Sequence, residues 1–300
     1  MQKCGSYRAK HYPNDSLYVF LNPPTPQLLW DIFPPTCLAG EAWIIGFDGK
    51  WLKRYGVLLI YRDVTNHEII WWSRVPWESV AAVTRDLERL GVLLSKVLPS
   101  GTISDWKPGI VEAMATYLQG REVKLFPQQR CLVHVEREAK RQLALHSPIE
   151  GTRILREIAL QITRIKTIEQ RDLWIVHLII WHYEYGKLLT EKSFFEGNGD
   201  HKRHWHYTHK NIRAGWRLLT HNPDCLFEYL YNPLIPSTNN SLEGVNSHLD
   251  RIRGLPPSYN DALLCWKLAF SRTKNNEDKH KLWARWVRTI SPPKTTTLAT

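Results

Sequence analysis

Three carboxylates in this sequence fall where a folded chain could gather them into one site. Asp48 follows the apolar run 43–47, Asp105 follows the short run 101–104, and Glu243 lies in the first turns of a predicted helix. Two Mg²⁺ or Mn²⁺ ions held roughly 3.5–4 Å apart can activate both oxygens of a phosphodiester displacement, and Mg²⁺ prefers carboxylate oxygen. A single Asp at such a position is ordinarily a turn residue or a helix cap. The prediction of a two-metal site therefore rests on all three carboxylates together.

The elements that must position these carboxylates follow from the apolar pattern. Runs at 43–47, 56–61 and 68–72, joined by short turns, predict three antiparallel strands. Helical spacing after Pro76 then predicts a helix that Gly91 ends. The elements predicted next are a strand ending at Asp105, a helix from Pro108, a strand over 123–126 and a charged helix over 134–145.

This order predicts an α/β fold, with a mixed sheet of three antiparallel strands followed by strand–helix units. Amphipathic segments with little strand signal predict an all-helical insertion before the last helix of the core, which carries Glu243. The predicted divisions are 1–40, a Pro-rich linker or the remnant of an N-terminal zinc ribbon; 41–148, the first part of the core; 149–232, the insertion; 233–256, the closing helix; and 257–300, a basic helical tail.

Composition narrows the class of partner. The chain has 40 Lys and Arg against 29 Asp and Glu, a net charge of +11, which favours a polyanionic partner such as nucleic acid. The alternative is a surplus that serves solubility alone. Five dispersed Cys argue against a disulfide framework, and we find no signal peptide or membrane span. We therefore expect a cytoplasmic, nucleoid-associated protein without a membrane partner.

Four motifs occur in chain order and together resemble one family. They are FDGKW (47–51), SDWKPGI (104–110), QRCLVH (129–134) and TNNSLEGVN (238–246). The set resembles the DDE transposases of the Mutator-like superfamily, which includes many transposases of bacterial and archaeal insertion sequences. The resemblance covers about residues 43–252. The family's N-terminal DNA-binding module is not visible, although Cys4 resembles half of a zinc-ribbon knuckle, so we expect that part of this module is lacking.

The resemblance implies an RNase H-like fold, with Asp48, Asp105 and Glu243 as the catalytic, metal-binding residues. It also implies cleavage of DNA at transposon ends and strand transfer of the freed 3′-hydroxyl into target DNA, by a homodimer or a higher synaptic complex. Two alternatives remain open at this point. One is a catalytically inactive or domesticated DNA-binding protein derived from a transposase, and the other is an unrelated RNase H-like nuclease.

A structural zinc site is a further hypothesis. Cys131 and His134 have the spacing of a ligand pair, and structural Zn²⁺ takes four ligands. His204 and His209 have the H-x-x-x-x-H spacing that relatives combine with a C-x-x-C pair to bind zinc. The alternative is that Cys131 is a buried core thiol and His134 packs near the active site at the start of a helix.

Two basic and aromatic segments are candidates for DNA contact. Cations bind phosphates and aromatic rings stack on exposed bases, so such a mixture suits a DNA-end channel. The first segment, which is otherwise a solvated basic loop, contains Lys202, Arg203, Trp205, Lys210, Arg213 and Arg217. The second, over 279–288, either contacts DNA or packs its two Trp side chains on the body of the protein.

Overall fold

A computed structural model of the chain describes residues 20–52, 56–94, 97–119, 127–194, 205–239, 257–273 and 275–290. The strands are β1 (Ile44–Trp51), β2 (Val57–Asp63), β3 (Glu68–Val75), β4 (Gly101–Ser104), β5 (Gln128–Arg130), β6 (Lys192–Phe194) and β7 (Trp205–Tyr207). The helices are α1 (Pro26–Ile32), α2 (Val80–Leu93), α3 (Pro108–Gln119), α4 (Leu132–Gln142), α5 (Glu150–Gln161), α6 (Ile168–Tyr185), α7 (Lys210–Thr220), α8 (Pro257–Phe270) and α9 (Asn276–Ile290).

Five strands form one mixed sheet in the order β3-β2-β1-β4-β5. Strands β1, β2 and β3 are antiparallel neighbours, whereas β4 and β5 extend the sheet in parallel with β1. The α/β class and the mixed sheet predicted from the sequence are thus confirmed. Strand β4 pairs only with residues 44–46 of β1 and ends there, so the chain leaves β4 beside the middle of β1, which continues to Trp51.

Helices cover both faces of this sheet, which explains why its strands read as continuous apolar runs. On one face Phe47 and Leu59 join a core with α2 and α3. On the other face Leu58 and Ile60 pack against α8, α9 and Leu29 of α1, and Ile44 packs close to Cys131, directly before α4. Strand β1, which contains Asp48 and continues past it to Trp51, is therefore fixed by packing on both sides.

Helices α4 to α7 share a separate hydrophobic core. Two of its largest side chains form hydrogen bonds inside this core. Trp174 donates its indole N–H to the Ile158 carbonyl at 2.8 Å, and Trp181 donates its own to the Gly151 carbonyl at 2.7 Å. Because α4 belongs to this core, the packing unit begins before residue 149, where the sequence placed the boundary of the insertion. The described part of the insertion is largely helical, with the small hairpin β6–β7 in addition.

Several local predictions differ from the structure. Helix α2 continues past Gly91 to Leu93, because Gly91 is buried against the body and causes no break. Residues 20–40 were predicted as a linker, yet Trp30 is buried and donates to the Ile70 carbonyl at 2.7 Å. The predicted strand 123–126, the closing helix and Cys4 lie outside the described residues.

The part of the chain that the structure describes contains four free cysteines. Within the same residues, no helix combines the length and the apolar character that crossing a membrane requires.

Candidate active site

The sheet register brings Asp48 and Asp105 to equivalent positions on neighbouring strands. Gly46 of β1 pairs with Ile103 of β4, and each Asp lies two residues beyond its member of that pair. Residues at matched positions of parallel strands share one face of the sheet, and neighbouring strands lie about 4.8 Å apart. The two carboxylates predicted to act together are therefore neighbours.

Asp48 is buried, with 7% of its surface exposed. Burial raises the pKa of its carboxyl, and repulsion from Asp105 raises it further, while His134 and Lys107 act in the opposite direction. A second negative charge next to a desolvated carboxylate is unfavourable unless a cation compensates it. This pair of acids consequently needs a positive partner.

Lys107 supplies a positive charge at the carboxylates. Its Nζ lies 3.0 Å from Oδ2 of Asp105 and 2.6 Å from Oε2 of Glu78. Attraction to these two acids raises the pKa of Lys107, although burial, the largest single influence, lowers it. The turn that presents Lys107 is unusual: Trp106, between Asp105 and Lys107, has φ +68°, which is rare for a bulky side chain and is often found at functional sites.

Glu78 is a third described carboxylate at this site, and the sequence did not single it out. Its side chain is 12% exposed. It fits against Gly49, where an added Cβ would come within 2.7 Å of Oε2 of Glu78. Glu78 directly precedes the N-cap of α2, so the pattern around it indicates only a helix start, and its role depends on contacts with β1 and with Lys107.

The donor set fits a divalent cation. Burial raises the pKa of Glu78, and the Lys107 ammonium opposes this effect, with further repulsion from Asp105 and Asp48. Oε1 of Glu78 is buried and accepts no hydrogen bond from the described residues. Within those residues, no three His, Cys, Asp or Glu side chains stand in a ready metal-binding geometry. Carboxylate oxygens are the ligands that Mg²⁺ prefers, so the side chains beside the half-exposed Lys107 are chemically suited to a divalent cation.

The segment that precedes Glu243 is bound directly to β1, at the residue before Asp48. Asn239 is buried, and its side-chain amide donates to the carbonyl of Phe47 at 3.2 Å. Its backbone N–H donates to Sγ of Cys131 at 3.2 Å. Glu243 itself lies outside the described residues.

Cys131 and His134 brace this region from α4. Cys131 is fully buried at the N-cap of α4. A hydrogen bond with Cys131 raises the pKa of His134 most, and the charges of Asp48 and Asp105 raise it further, against the effect of burial. The geometry thus fits the core-thiol interpretation, in which the C-x-x-H motif supports the carboxylates and Asn239.

The structure does not bring His209 to Cys131. His209 lies near Gln142 at the far end of α4 and contacts Glu191 at 3.0 Å. Eleven residues of helix separate Cys131 from Gln142, a distance of about 16 Å. His204 lies outside the described residues. The described residues therefore place His209 apart from Cys131, because α7 runs antiparallel to α4.

The first basic and aromatic segment is only partly described, since Lys202 and Arg203 lie outside the described residues. Trp205 is half-buried, and Nζ of Lys192 lies 4.0 Å from its ring centroid. The guanidinium of Arg213 lies 3.4 Å from the ring centroid of Tyr207 and donates to the carbonyl of Leu189. Arg213 thus anchors the hairpin to α7.

The remaining cations of that segment, Lys210 and Arg217, are exposed on α7. In the second segment, Trp286 is buried and donates to the Asn22 carbonyl at 2.7 Å, and the ring of Trp283 lies 4.9 Å from that of Trp266. Helix α9 therefore packs its Trp face on the body, as one of the two interpretations expected.

No family model matches the chain. A search of curated proteins also finds no related sequence.

Proposed function

We propose that this protein is a DDE transposase with an RNase H-like catalytic core. In this proposal Asp48, Asp105 and Glu243 hold two Mg²⁺ or Mn²⁺ ions, and the partners are transposon ends and target DNA. The observation that carries the proposal is the hydrogen bond from Asn239 to Phe47 in β1, beside the register-matched Asp48 and Asp105. It joins three motifs, distant in sequence, beside β1.

The sheet order supports the same proposal. Three antiparallel strands followed by two parallel ones, with helices on both faces, agree with the arrangement that the RNase H-like fold requires. When bound, the two metal ions would activate the attacking oxygen and stabilise the leaving oxygen of the phosphodiester. The buried carboxylates would hold their ligand oxygens in fixed directions, because packing on both faces of the sheet leaves β1 little freedom.

Lys107 has a distinct part in this proposal. Its ammonium neutralises Asp105 and Glu78 before metal binds. Once a divalent ion takes over that role, the ammonium is free to contact a DNA phosphate, for which a Lys is suited as a point charge. Glu78 would then act as a positioning residue that fixes the position of the Lys107 ammonium.

The test is a strand-transfer assay with the full chain, Mg²⁺ and DNA that carries the ends flanking its gene. Asp48→Asn, Asp105→Asn and Glu243→Gln should each lower cleavage and strand transfer by at least about 10³-fold, since uncatalysed phosphodiester reactions are extremely slow. DNA affinity and thermal stability should be nearly unchanged. Asp31→Asn, an exposed Asp away from the site, is the control.

Each outcome of this assay is informative. Cleavage without strand transfer would indicate a nuclease. Specific DNA binding without either reaction would indicate a transposase-derived binding protein. If one of the three variants keeps wild-type strand transfer, that residue does not belong to the metal-binding set.

A further inference from the structure

Helix α6 exposes an apolar face that its own core does not use. Its buried side faces the helical core through Trp174, Leu178 and Trp181. On the outer side, large apolar side chains are exposed at Leu173 (58%), Val176 (46%), Ile179 (62%), Ile180 (49%) and Tyr183 (91%). A helix that is apolar all round is normally buried on all sides. A contiguous exposed patch of this kind usually marks an interaction surface.

The outer residues form a regular seam. Leu173, Val176, Ile180 and Tyr183 follow one another at intervals of three, four and three residues, the a and d spacing of a coiled coil. Helix α6 is 18 residues long, about 27 Å, so the seam spans several turns. Shallow hollows between α5 and α6 open beside Leu173 and Ile180 and extend the surface. The partner that fits is therefore another helix.

The spacing of the charged residues at the two ends of the seam also indicates which helix is the partner. Glu169 precedes Leu173 by four residues, and Lys187, in the 3₁₀ turn Gly186–Leu189 that directly follows α6, comes four residues after Tyr183. The order of apolar and charged residues is therefore the same in both directions, with opposite charges at the two ends. Both charged residues are exposed. An antiparallel second copy of α6 would place Leu173 opposite Tyr183, Val176 opposite Ile180, and Glu169 opposite Lys187. A parallel copy would instead place like charges opposite each other.

We propose that two copies of this chain associate through antiparallel pairing of their α6 helices. The seam contains no Lys or Arg between residues 173 and 183, so it does not suit DNA phosphates. The exposed acids Glu169, Asp172 and Glu184 disfavour an anionic lipid surface. A single helix pair is smaller than a standard interface of about 800 Å² per partner, so we expect a dissociation constant of about 1–100 µM.

The proposal goes beyond the proposed function and does not rest on it, because its readout is the oligomeric state. Sedimentation velocity of the full chain should show a monomer–dimer equilibrium. Ile180→Glu should weaken association at least about tenfold, since it brings a charge into the seam close to its two-fold axis. Leu145→Glu, at an apolar position with 59% exposure outside α6, is the matched control. Monomeric wild-type protein at about 100 µM would overturn the proposal.

Cross-linking tests the antiparallel register. Residues 173 and 183 of one helix are about 15 Å apart, too far for a disulfide within one chain. The double variant Leu173→Cys/Tyr183→Cys should form covalent dimers on mild oxidation, whereas each single variant should not. Efficient cross-linking of Leu173→Cys alone would contradict the antiparallel pairing.

Charge reversal gives an independent result on the same geometry. Glu169→Lys or Lys187→Glu alone should weaken the dimer, because each creates two like-charge pairs across the seam. The double reversal Glu169→Lys/Lys187→Glu should restore wild-type association. Failure of this rescue would exclude the Glu169–Lys187 pairing, and with it the proposed register.

Discussion

Lys107 shows how one side chain keeps the carboxylate cluster stable without metal. Its ammonium lies 3.0 Å from Asp105 and 2.6 Å from Glu78. Burial and Asp105 raise the pKa of Asp48, and the charge of Lys107 opposes that rise. A bound divalent ion would supply the same compensation with a higher charge. Lys107 and a bound metal ion would therefore compensate the same negative charges, and this competition can be measured without any DNA.

The first prediction is that Lys107→Met lowers the thermal stability in EDTA by a few degrees, because the carboxylates lose their counter-charge. Mg²⁺ should then raise the Tm of the variant more than that of the wild type. Lys140→Met is a matched control, since Lys140 is equally exposed and pairs with Glu136 at the surface. Equal Mg²⁺ responses in all three proteins would show that Lys107 does not stand in for a cation.

At the scale of elements, a buried Asp joins α2 to two strands of the sheet. The hydroxyls of Tyr61 on β2 and Ser73 on β3 both donate to Oδ2 of Asp86. Burial raises the pKa of Asp86, although these hydroxyls lower it. A carboxyl whose pKa is higher in the folded state favours folding when protonated. Its contribution is therefore lost as the pH rises through and above the unfolded value of about 3.9.

The second prediction follows from this sign. Asp86→Asn keeps an acceptor for both hydroxyls and removes the buried charge. The free energy of unfolding of the variant should therefore fall less than that of the wild type between pH 4 and 7. Denaturant unfolding at several pH values measures the difference, with Glu88→Gln, exposed on the same helix, as control. A steeper loss of stability in the Asn variant would mean that the ionised carboxylate stabilises the fold.

Local sequence patterns predicted the helices and strands better than they predicted the contacts between these elements. The apolar runs before Asp48 and Asp105 predicted strands β1 and β4. Such a prediction succeeds because the burial of an apolar run depends little on which distant residues cover it. Glu78 was missed because nothing near it in sequence indicates that Gly49 leaves room for its carboxylate. The separation of His209 from Cys131 could not be predicted for a similar reason. The direction of α7 along α4 is fixed by packing such as that of Leu143 on Gly215, which the spacing of His residues does not encode.

At the scale of the whole molecule, the net charge of +11 bears on DNA binding. Phosphate contacts give affinity without sequence information, whereas contacts with base edges give specificity. We expect this chain to bind duplex DNA with modest sequence preference and with strong salt dependence. The structure indicates which cations to test. Lys210 and Arg217 are exposed and lie seven residues apart on one side of α7. Arg213, by contrast, contacts Tyr207 and Leu189 within the protein.

The last prediction separates phosphate contacts from net charge. Each phosphate neutralised contributes about −0.9 to the slope of log K against log salt on duplex DNA, so Lys210→Ala/Arg217→Ala should flatten the slope by about 1.8. Lys140→Ala/Arg141→Ala removes the same charge from exposed positions paired with Glu136 and Glu138, and it should change the slope little. Binding isotherms at several salt concentrations give both slopes. Equal slopes for the two variants would mean that α7 does not contact the DNA, since net charge alone would then account for the affinity.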